Sequence, residues 1–374
     1  MIQGIHLTLL IGPLVPVPAP QALMDALVNA KVTSGKDRSG FQLTFAVSKR
    51  SILLTTLLPA GFFDPMVTRV VLIVTMGGFP NVIMDGIVTQ QELTPSNEPG
   101  QSTLTITGSD LSVLMNVVEI KRPLPPGEAP QVALLLLPYL AFGVTPIVIP
   151  PLFMSFVPPT ERISQQTTTD LTHIQMLAGR CGYVFYVDPG PLPGQSIAYF
   201  GPNIRIPVPQ PALNINMDAE TNVESMSFSL DGLAKEVLIV TTMDPITGRI
   251  PIPIPIPNIN ILQPPLGLRP TPPAKICFSD DLTKEKVPGL LNRVLGRLIK
   301  GSNNAITVSG SLNVLRYGHV LRSRMLVGVR GAGIAYDGLY YVDSVTHDLK
   351  RGEYKQSFQL SRDGLISNTP KVPV

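Results

Sequence analysis

The chain has 374 residues, 44% hydrophobic but only 15% charged, with 39 prolines and a formal net charge of +3. That length buries a sizeable core and accommodates two or three domains, while so small a charge, dispersed apart from pairs such as Lys49-Arg50 and Lys121-Arg122, excludes an electrostatic nucleic-acid binder. A charged fraction well under the usual quarter predicts that permanent protein–protein contacts cover part of the surface.

The N-terminal apolar run lacks a basic n-region and is broken by Pro13, Pro16, Pro18 and Pro20, so it does not read as a signal peptide. β structure is predicted from Gly40, where Phe41, Leu43 and Phe45 alternate, and through the β-branched run Met66 to Met76. Gly77 to Asn81 make a turn, and two further strands flank a second turn containing Pro95 and Gly100. Asp110 opens a short helix. Strands joined this tightly predict a small antiparallel barrel or sandwich.

The run Val132 to Phe153 is apolar enough to evoke a membrane span, but Pro138, Pro146, Pro150 and Pro151 favour a buried helix followed by an extended segment. In QTTTDLTHIQMLAGRCGYVFYVD (166–188), Thr169 is an N-cap and Asp170 suits the positive helix end. Leu171, Ile174 and Leu177 form the inward stripe, Gly182 stops the helix, and an aromatic strand follows.

β structure resumes near Val223. The segment Ile250 to Pro273, with proline on every second residue at first, predicts an extended arm, excursion or edge whose isoleucines need an apolar surface. Residues 282–300 read as an amphipathic helix ended by Gly301. The last elements are strands, the final pair forming a hairpin across Lys350-Arg351-Gly352-Glu353. The pattern is mainly β with α+β elements, with a β region at each end of the chain and helical matter between.

Chemistry is scarce in this pattern. Asp170, His173 and Cys181 lie close in sequence, but Asp170 and His173 are expected to be i, i+3 neighbours on a helix surface, with Cys181 in the core. His347 and Asp348 should point to opposite faces of a strand. His6 and His319 are isolated, and no zinc spacing or phosphate loop occurs. Glu92, Glu98 and Glu161 stand in loop-like hydrophilic contexts, unlike the raised-pKa acid of a glycosidase. Cys181 and Cys277 read as two buried free thiols, with pairing left open. No catalytic, cofactor-binding or metal-binding residue is expected.

The 166–188 stretch resembles a motif of contractile-tail baseplate hub proteins, the late control protein D family of phages, which includes the T-even phage hub and the hub portion of the type VI secretion valine-glycine repeat protein. Thr169, Asp170, Leu171, Leu177, Ala178, Gly182, Tyr183 and Phe185 take the motif's places. Three further blocks match in order. Gly86, Ile87, Val88, Gly108 and Asp110 resemble a first-barrel element, and Asp244, Pro245, Thr247 and Gly248 a second-barrel turn. Tyr341, Val345, His347, Gly352, Tyr354, Phe358, Leu360 and Arg362 resemble the closing hairpin.

The resemblance implies two similar small β-barrel domains, at 1–120 and 216–374, around an intervening α/β domain at 121–215. The second carries the Pro-rich excursion (249–273) and the helix (282–300). It further implies a homotrimer forming a pseudo-sixfold ring between a hexameric inner tail tube and a threefold central spike, beside baseplate wedge or adaptor proteins. Assembly in the bacterial cytoplasm into a phage tail or an extracellular injection particle follows, without nucleic-acid binding or stable membrane insertion. A tail-associated peptidoglycan-degrading enzyme and a tail-tip adhesin are the alternative readings.

Overall fold

The structure, a computed structural model, describes residues 4–13, 15–35, 38–98, 101–151, 164–204, 208–243, 251–256, 265–279 and 304–369. Its first part is built from β1 (Ile5–Gly12), β2 (Val17–Pro18), helix α1 (Gln21–Ala26), β3 (Leu27–Ser34), β4 (Ser39–Ala46), β5 (Arg69–Met76), β6 (Phe79–Thr94) and β7 (Thr103–Asp110). In β4 the expected alternation holds, with Phe41, Leu43 and Phe45 buried and Gln42 exposed. β5 is a continuous apolar run because it is covered on both faces. Val70, Leu72 and Val74 enter the main core, while Val71 and Ile73 pack with Val82 on the other side.

The intervening part contains β8 (Arg122–Leu124), α2 (Glu128–Leu136), β9 (Val144–Val148), β10 (Ser164–Gln166), α3 (Asp170–Cys181), β11 (Val184–Pro189) and β12 (Ser196–Gly201). The apolar run that begins at Val132 is a short helix continued by a 3-10 turn to Phe142, then strand β9. Gly143, at φ 73°, makes the break between them. A separate core forms here, in which Val132 and Leu136 of α2 meet Ile174 and Leu177 of α3 and Phe185 and Phe200 of the small sheet β11-β12-β9.

The last part adds β13 (Gln210–Asn214), β14 (Val223–Leu230), β15 (Glu236–Met243), β16 (Pro251–Ile256), β17 (Gly267–Pro270), β18 (Lys275–Ser279), β19 (Ile306–Asn313), β20 (Leu326–Arg330), β21 (Gly338–Lys350), β22 (Glu353–Arg362) and β23 (Gly364–Ser367). The final hairpin β21–β22 has the anticipated Arg351-Gly352 turn, with Lys350 opposite Glu353 and Gly352 at φ 77°.

Two sets of strands share one topology. In the first, β1-β5-β6-β7-β4-β3 is the order across the sheet, and in the second it is β13-β20-β21-β22-β19-β14. Numbered along the chain, both are first-fourth-fifth-sixth-third-second. Two irregularities in each set coincide as well. β6 skips a residue between Val88 and Gln90, as β21 does between Val342 and Ser344. β3 skips between Leu27 and Asn29, as β14 does between Val223 and Ser225. β-Bulges are built features that set strand twist, so their coincidence makes the two sets repeats of one unit. They differ elsewhere: β1 runs antiparallel to β5 whereas β13 runs parallel to β20 with a shift between Gln210 and Leu213, and the shift between Leu72 and Ile73 of the β5–β6 pair has no counterpart in β20–β21.

The repeats are joined edge to edge, β21 pairing antiparallel with β3 from Val345–Ser34 to Lys350–Asn29. A thirteen-stranded sheet results, and one core runs from Leu43 and Leu72 to Val308 and Leu360. Between β14 and β19, where the first repeat has only the short β3–β4 connection, the second inserts β15 to β18. The Ile-Pro segment enters this insertion as edge strand β16, paired with β15. Alternating prolines leave its amide donors on one edge only, so one side can pair and the other cannot extend the sheet. The helix expected at 282–300 and the turn residues Asp244, Pro245, Thr247 and Gly248 lie outside the described residues, as does Glu161.

Three expectations need correction. Asp170 and His173, at 3% and 5% exposed, are not surface neighbours, because Arg122, Gln166 and Tyr139 close over the first and α2 lies against the second. Glu92 is exposed but stands in the far half of the long strand β6, not in a loop. Cys277 is half-buried, whereas Cys181 is buried as expected, and neither forms a disulfide.

Candidate functional site

Helix α3 starts where its sequence says it should. Thr169 is extended, at φ −63° and ψ 156°, and its Oγ1 accepts from the Thr172 N–H at 3.3 Å. Gly182 closes the helix at φ 68°. Asp170, 3% exposed, is surrounded by donors: Arg122 Nη2 at 3.0 Å and Gln166 Nε2 at 2.6 Å to Oδ1, and the Tyr139 hydroxyl at 2.9 Å to Oδ2. Burial, and then the Asp170 carboxylate, push the Tyr139 hydroxyl up, so it stays protonated and donating.

His173 takes no part in that cluster. Its Nε2 lies 3.1 Å from Gln131 Oε1, and the Gln131 amide nitrogen donates to the Pro125 carbonyl. The Gln131 oxygen is therefore the acceptor and the imidazole the donor. Burial and the nearby Arg180 hold the His173 pKa down, which keeps the ring neutral. The Cys181 thiol is pushed up to about 12, by burial first and then by Glu128. A nucleophilic cysteine needs the opposite environment. The three residues pin α3 to α2, β8 and the helix's own core, and the geometry supplies no relay.

The second histidine constellation is also a packing device. His347 is buried, with Nδ1 2.6 Å from the Tyr354 hydroxyl and 3.2 Å from Gln356 Nε2. Gln356 clamps Leu321 through both its N–H and its C=O. Asp348 faces away and is paired with exposed Lys350, as the strand period requires. His347, Tyr354, Phe358, Leu360 and Arg362 thus build the interior of the second repeat. In the first repeat, Gly108 lets the Phe41 ring lie against the backbone, because a Cβ there would stand 2.3 Å from it. Asp110 accepts from the N–H groups of Ser39 and Ser112 at 2.8 and 2.9 Å. Among the described residues no group of three His, Cys, Asp or Glu could hold a metal ion, and no helix is long and apolar enough to cross a membrane.

The polar sites that sequence reasoning missed are the clasps between the repeats and the intervening part. Arg69 on β5 meets Asp85 on β6 through Nε at 2.7 Å and Nη2 at 2.6 Å, both side chains almost fully buried. The same guanidinium donates to the carbonyls of Phe142 and Gly194, and Ser196 donates to Asp85. Arg324 pairs with Asp188 of β11, lies 4.1 Å over the Tyr186 ring and donates to the Gly35 carbonyl. A charged residue inside an apolar strand, Arg69 in TRVVLIV and Asp85 in VIMDGIV, was the available signal.

No family model matches the chain. No curated protein matches it either. Solved structures do. A tail protein from Neisseria meningitidis is similar over 97% of this chain and 98% of its own, with a TM-score of 0.63 at 13% identity. The 43 kDa tail protein of prophage MuSo2 from Shewanella oneidensis is similar over 97% and 100%, at 0.61 and 12%. A chain of the Francisella PdpA–VgrG complex covers all of this chain with 55% of its own length, at 0.60 and 10%. At these identities the likeness is one of fold, and it extends over the whole of both tail proteins.

Proposed function

We propose that the chain is the structural hub of a contractile-tail or injection-machine baseplate. In this reading it is a homotrimer whose two repeats per chain form a pseudo-sixfold ring, seated between a hexameric inner tube and a threefold central spike and flanked by wedge or adaptor proteins. The chain would divide into a first barrel at 1–120, an intervening domain at 121–215 and a second barrel at 216–374, with β13 completing the second sheet. Its work is assembly without turnover, in a particle assembled in the bacterial cytoplasm as part of a phage tail or an extracellular injection particle.

The observation that carries this reading is the duplicated six-strand order with coincident bulges, two equivalent units in one chain. Three chains then present six equivalent units, which matches a sixfold partner on one side and a threefold partner on the other. The likeness in fold to two tail proteins supports it, as does the sparse charge, which suits a surface covered on several sides. Light scattering on the purified chain, alone and with a candidate spike protein, tests it. A mass of about 121 kDa, three times 40.3 kDa, is expected. A monomer under both conditions, or clearing of a cell-wall gel by the pure protein, would sink it.

A further inference from the structure

The repeat shows which strand edges are left over. Past its bulge residue Asp343, β21 is paired on both sides, with β22 and, from Val345 to Lys350, with β3. Its counterpart β6 has the matching bulge at Thr89, and past it pairs only β7, from Gln90–Thr107 to Thr94–Thr103. The other edge of this half of β6 meets no strand among the described residues. The counterpart of β3 is β14, and β14 is the terminal strand of the sheet, with its outer edge likewise unpaired among the described residues. Each chain contains one completed joint, β21–β3, and the two halves of a second.

We infer that the β6 edge of one copy pairs antiparallel with the β14 edge of the next copy, in the register of the β21–β3 joint. The bulges fix the correspondence. Thr89 corresponds to Asp343 and Glu224 to Val28, so Val345–Ser34, Thr346–Thr33, His347–Val32 and Asp348–Lys31 become Gln91–Leu230, Glu92–Ser229, Leu93–Phe228 and Thr94–Ser227. Pro95 then ends the seam for want of a donor.

Exposure supports the pairing. Leu93 is 43% exposed and Leu230 41%, whereas His347, the counterpart of Leu93, is 4% exposed under its β3 neighbour. Phe228 is only partly buried, whereas its counterpart Val32 is fully buried in the joint. Neither free edge carries the lysines or inward charges that keep unpaired strands from associating. The interface is head to tail, so it closes a ring when the rotation per copy allows. It deepens the trimeric hub reading and rests on it.

The test uses the full chain in a Cys277→Ser background, with Glu92→Cys and Ser229→Cys. Both residues are exposed, and their counterparts Thr346 and Thr33 place hydroxyl oxygens 3.3 Å apart across the existing joint. Paired positions on adjacent antiparallel strands bring Cβ atoms to about 5 Å, close to disulfide range. With copper phenanthroline and dissolved oxygen as oxidant, the double variant should give covalent dimers and trimers on a non-reducing gel. Each single variant should give neither, and an equimolar mixture of the two should stop at dimers. Glu92→Cys with Ser225→Cys, displaced by four residues or about 13 Å along the strand, should not link.

Linking by the in-register pair alone establishes the seam. A 121 kDa particle that fails to link overturns the seam and leaves the hub reading standing. Equal linking by the displaced pair overturns the register. A chain that stays monomeric by light scattering overturns both readings.

Discussion

Met66 and Arg324 occupy the same place in the two repeats. Both are non-glycine residues in the left-handed region, at φ 64° and 62°. Each donates its backbone N–H to the residue before the long strand's bulge, Met66 to Val88 at 2.7 Å and Arg324 to Val342 at 2.8 Å. A side chain in that region costs about 1 kcal/mol relative to glycine. Met66 is 38% exposed and contributes little in return, so Met66→Gly should raise stability by roughly 0.5 kcal/mol in urea unfolding. Arg324→Gly relieves the same strain but removes the clasp on Asp188, Tyr186 and Gly35, and should lower stability by about 2 kcal/mol or more. Equal effects at the two sites would contradict the assignment of different duties to equivalent positions.

The buried Arg69–Asp85 pair leads to a second prediction. Asp85→Ala leaves a guanidinium 4% exposed without its carboxylate, which costs about 3–5 kcal/mol. The carbonyls of Phe142 and Gly194 would still face it, so the loss should appear first where those segments dock. Limited proteolysis of Asp85→Ala should open the chain between residues 137 and 196 before the sheet unfolds. The double change Arg69→Met with Asp85→Leu should recover part of the stability but not the docking, since it restores packing and no donors to Phe142 or Gly194.

These clasps mark the limit of what the sequence made legible. Local rules placed the Thr169 cap, the Gly182 stop, the β4 alternation and the Arg351-Gly352 turn, because each depends on a few adjacent residues. The repeat was to be expected only through the family resemblance and not from the residues themselves, because it is kept in pairing and not in residue type. Gly108 answers to Leu360, Phe41 to Val308 and Leu93 to His347. The two units are also unequal in length along the chain, since the second carries β15 to β18 inside it. His173 was misplaced for a similar reason. A helical wheel shows which residues share a face, but α2 covers a second face of α3 that looks polar in sequence.

His347 yields a pH dependence. Burial, with the Arg322 charge adding to it, lowers its pKa from 6.5 to about 3. Folding therefore excludes a proton that the unfolded chain binds below pH 6.5. The stability this neutral histidine permits is fully present above pH 6.5 and is lost as pH falls toward 3, at about 1.4 kcal/mol per pH unit. His173, shifted in the same direction by burial, adds to the slope. His347→Gln removes one of these protons and should flatten the stability profile between pH 6 and 4. Its cost at pH 8, where the 2.6 Å contact with Tyr354 is lost or weakened, should be about 1–2 kcal/mol. A variant with an unchanged acid slope would show that His347 is protonated in the folded chain.

The last prediction separates a packed cysteine from a reactive one. Cys181 is 5% exposed in the core between α2, α3 and the small sheet, with its thiol pushed up to about 12. At pH 8 its thiolate fraction is on the order of 10⁻⁴, and alkylation by iodoacetamide needs both the thiolate and access. In a Cys277→Ser background the native chain should resist labelling for hours, and labelling should follow unfolding as urea is raised. Cys181→Ala removes a small buried side chain that strands no hydrogen-bond partner among the described residues, and should cost about 1 kcal/mol. Rapid native labelling at Cys181, faster than that of unfolded chain, would instead reveal an activated thiol and revive a catalytic role for the helix.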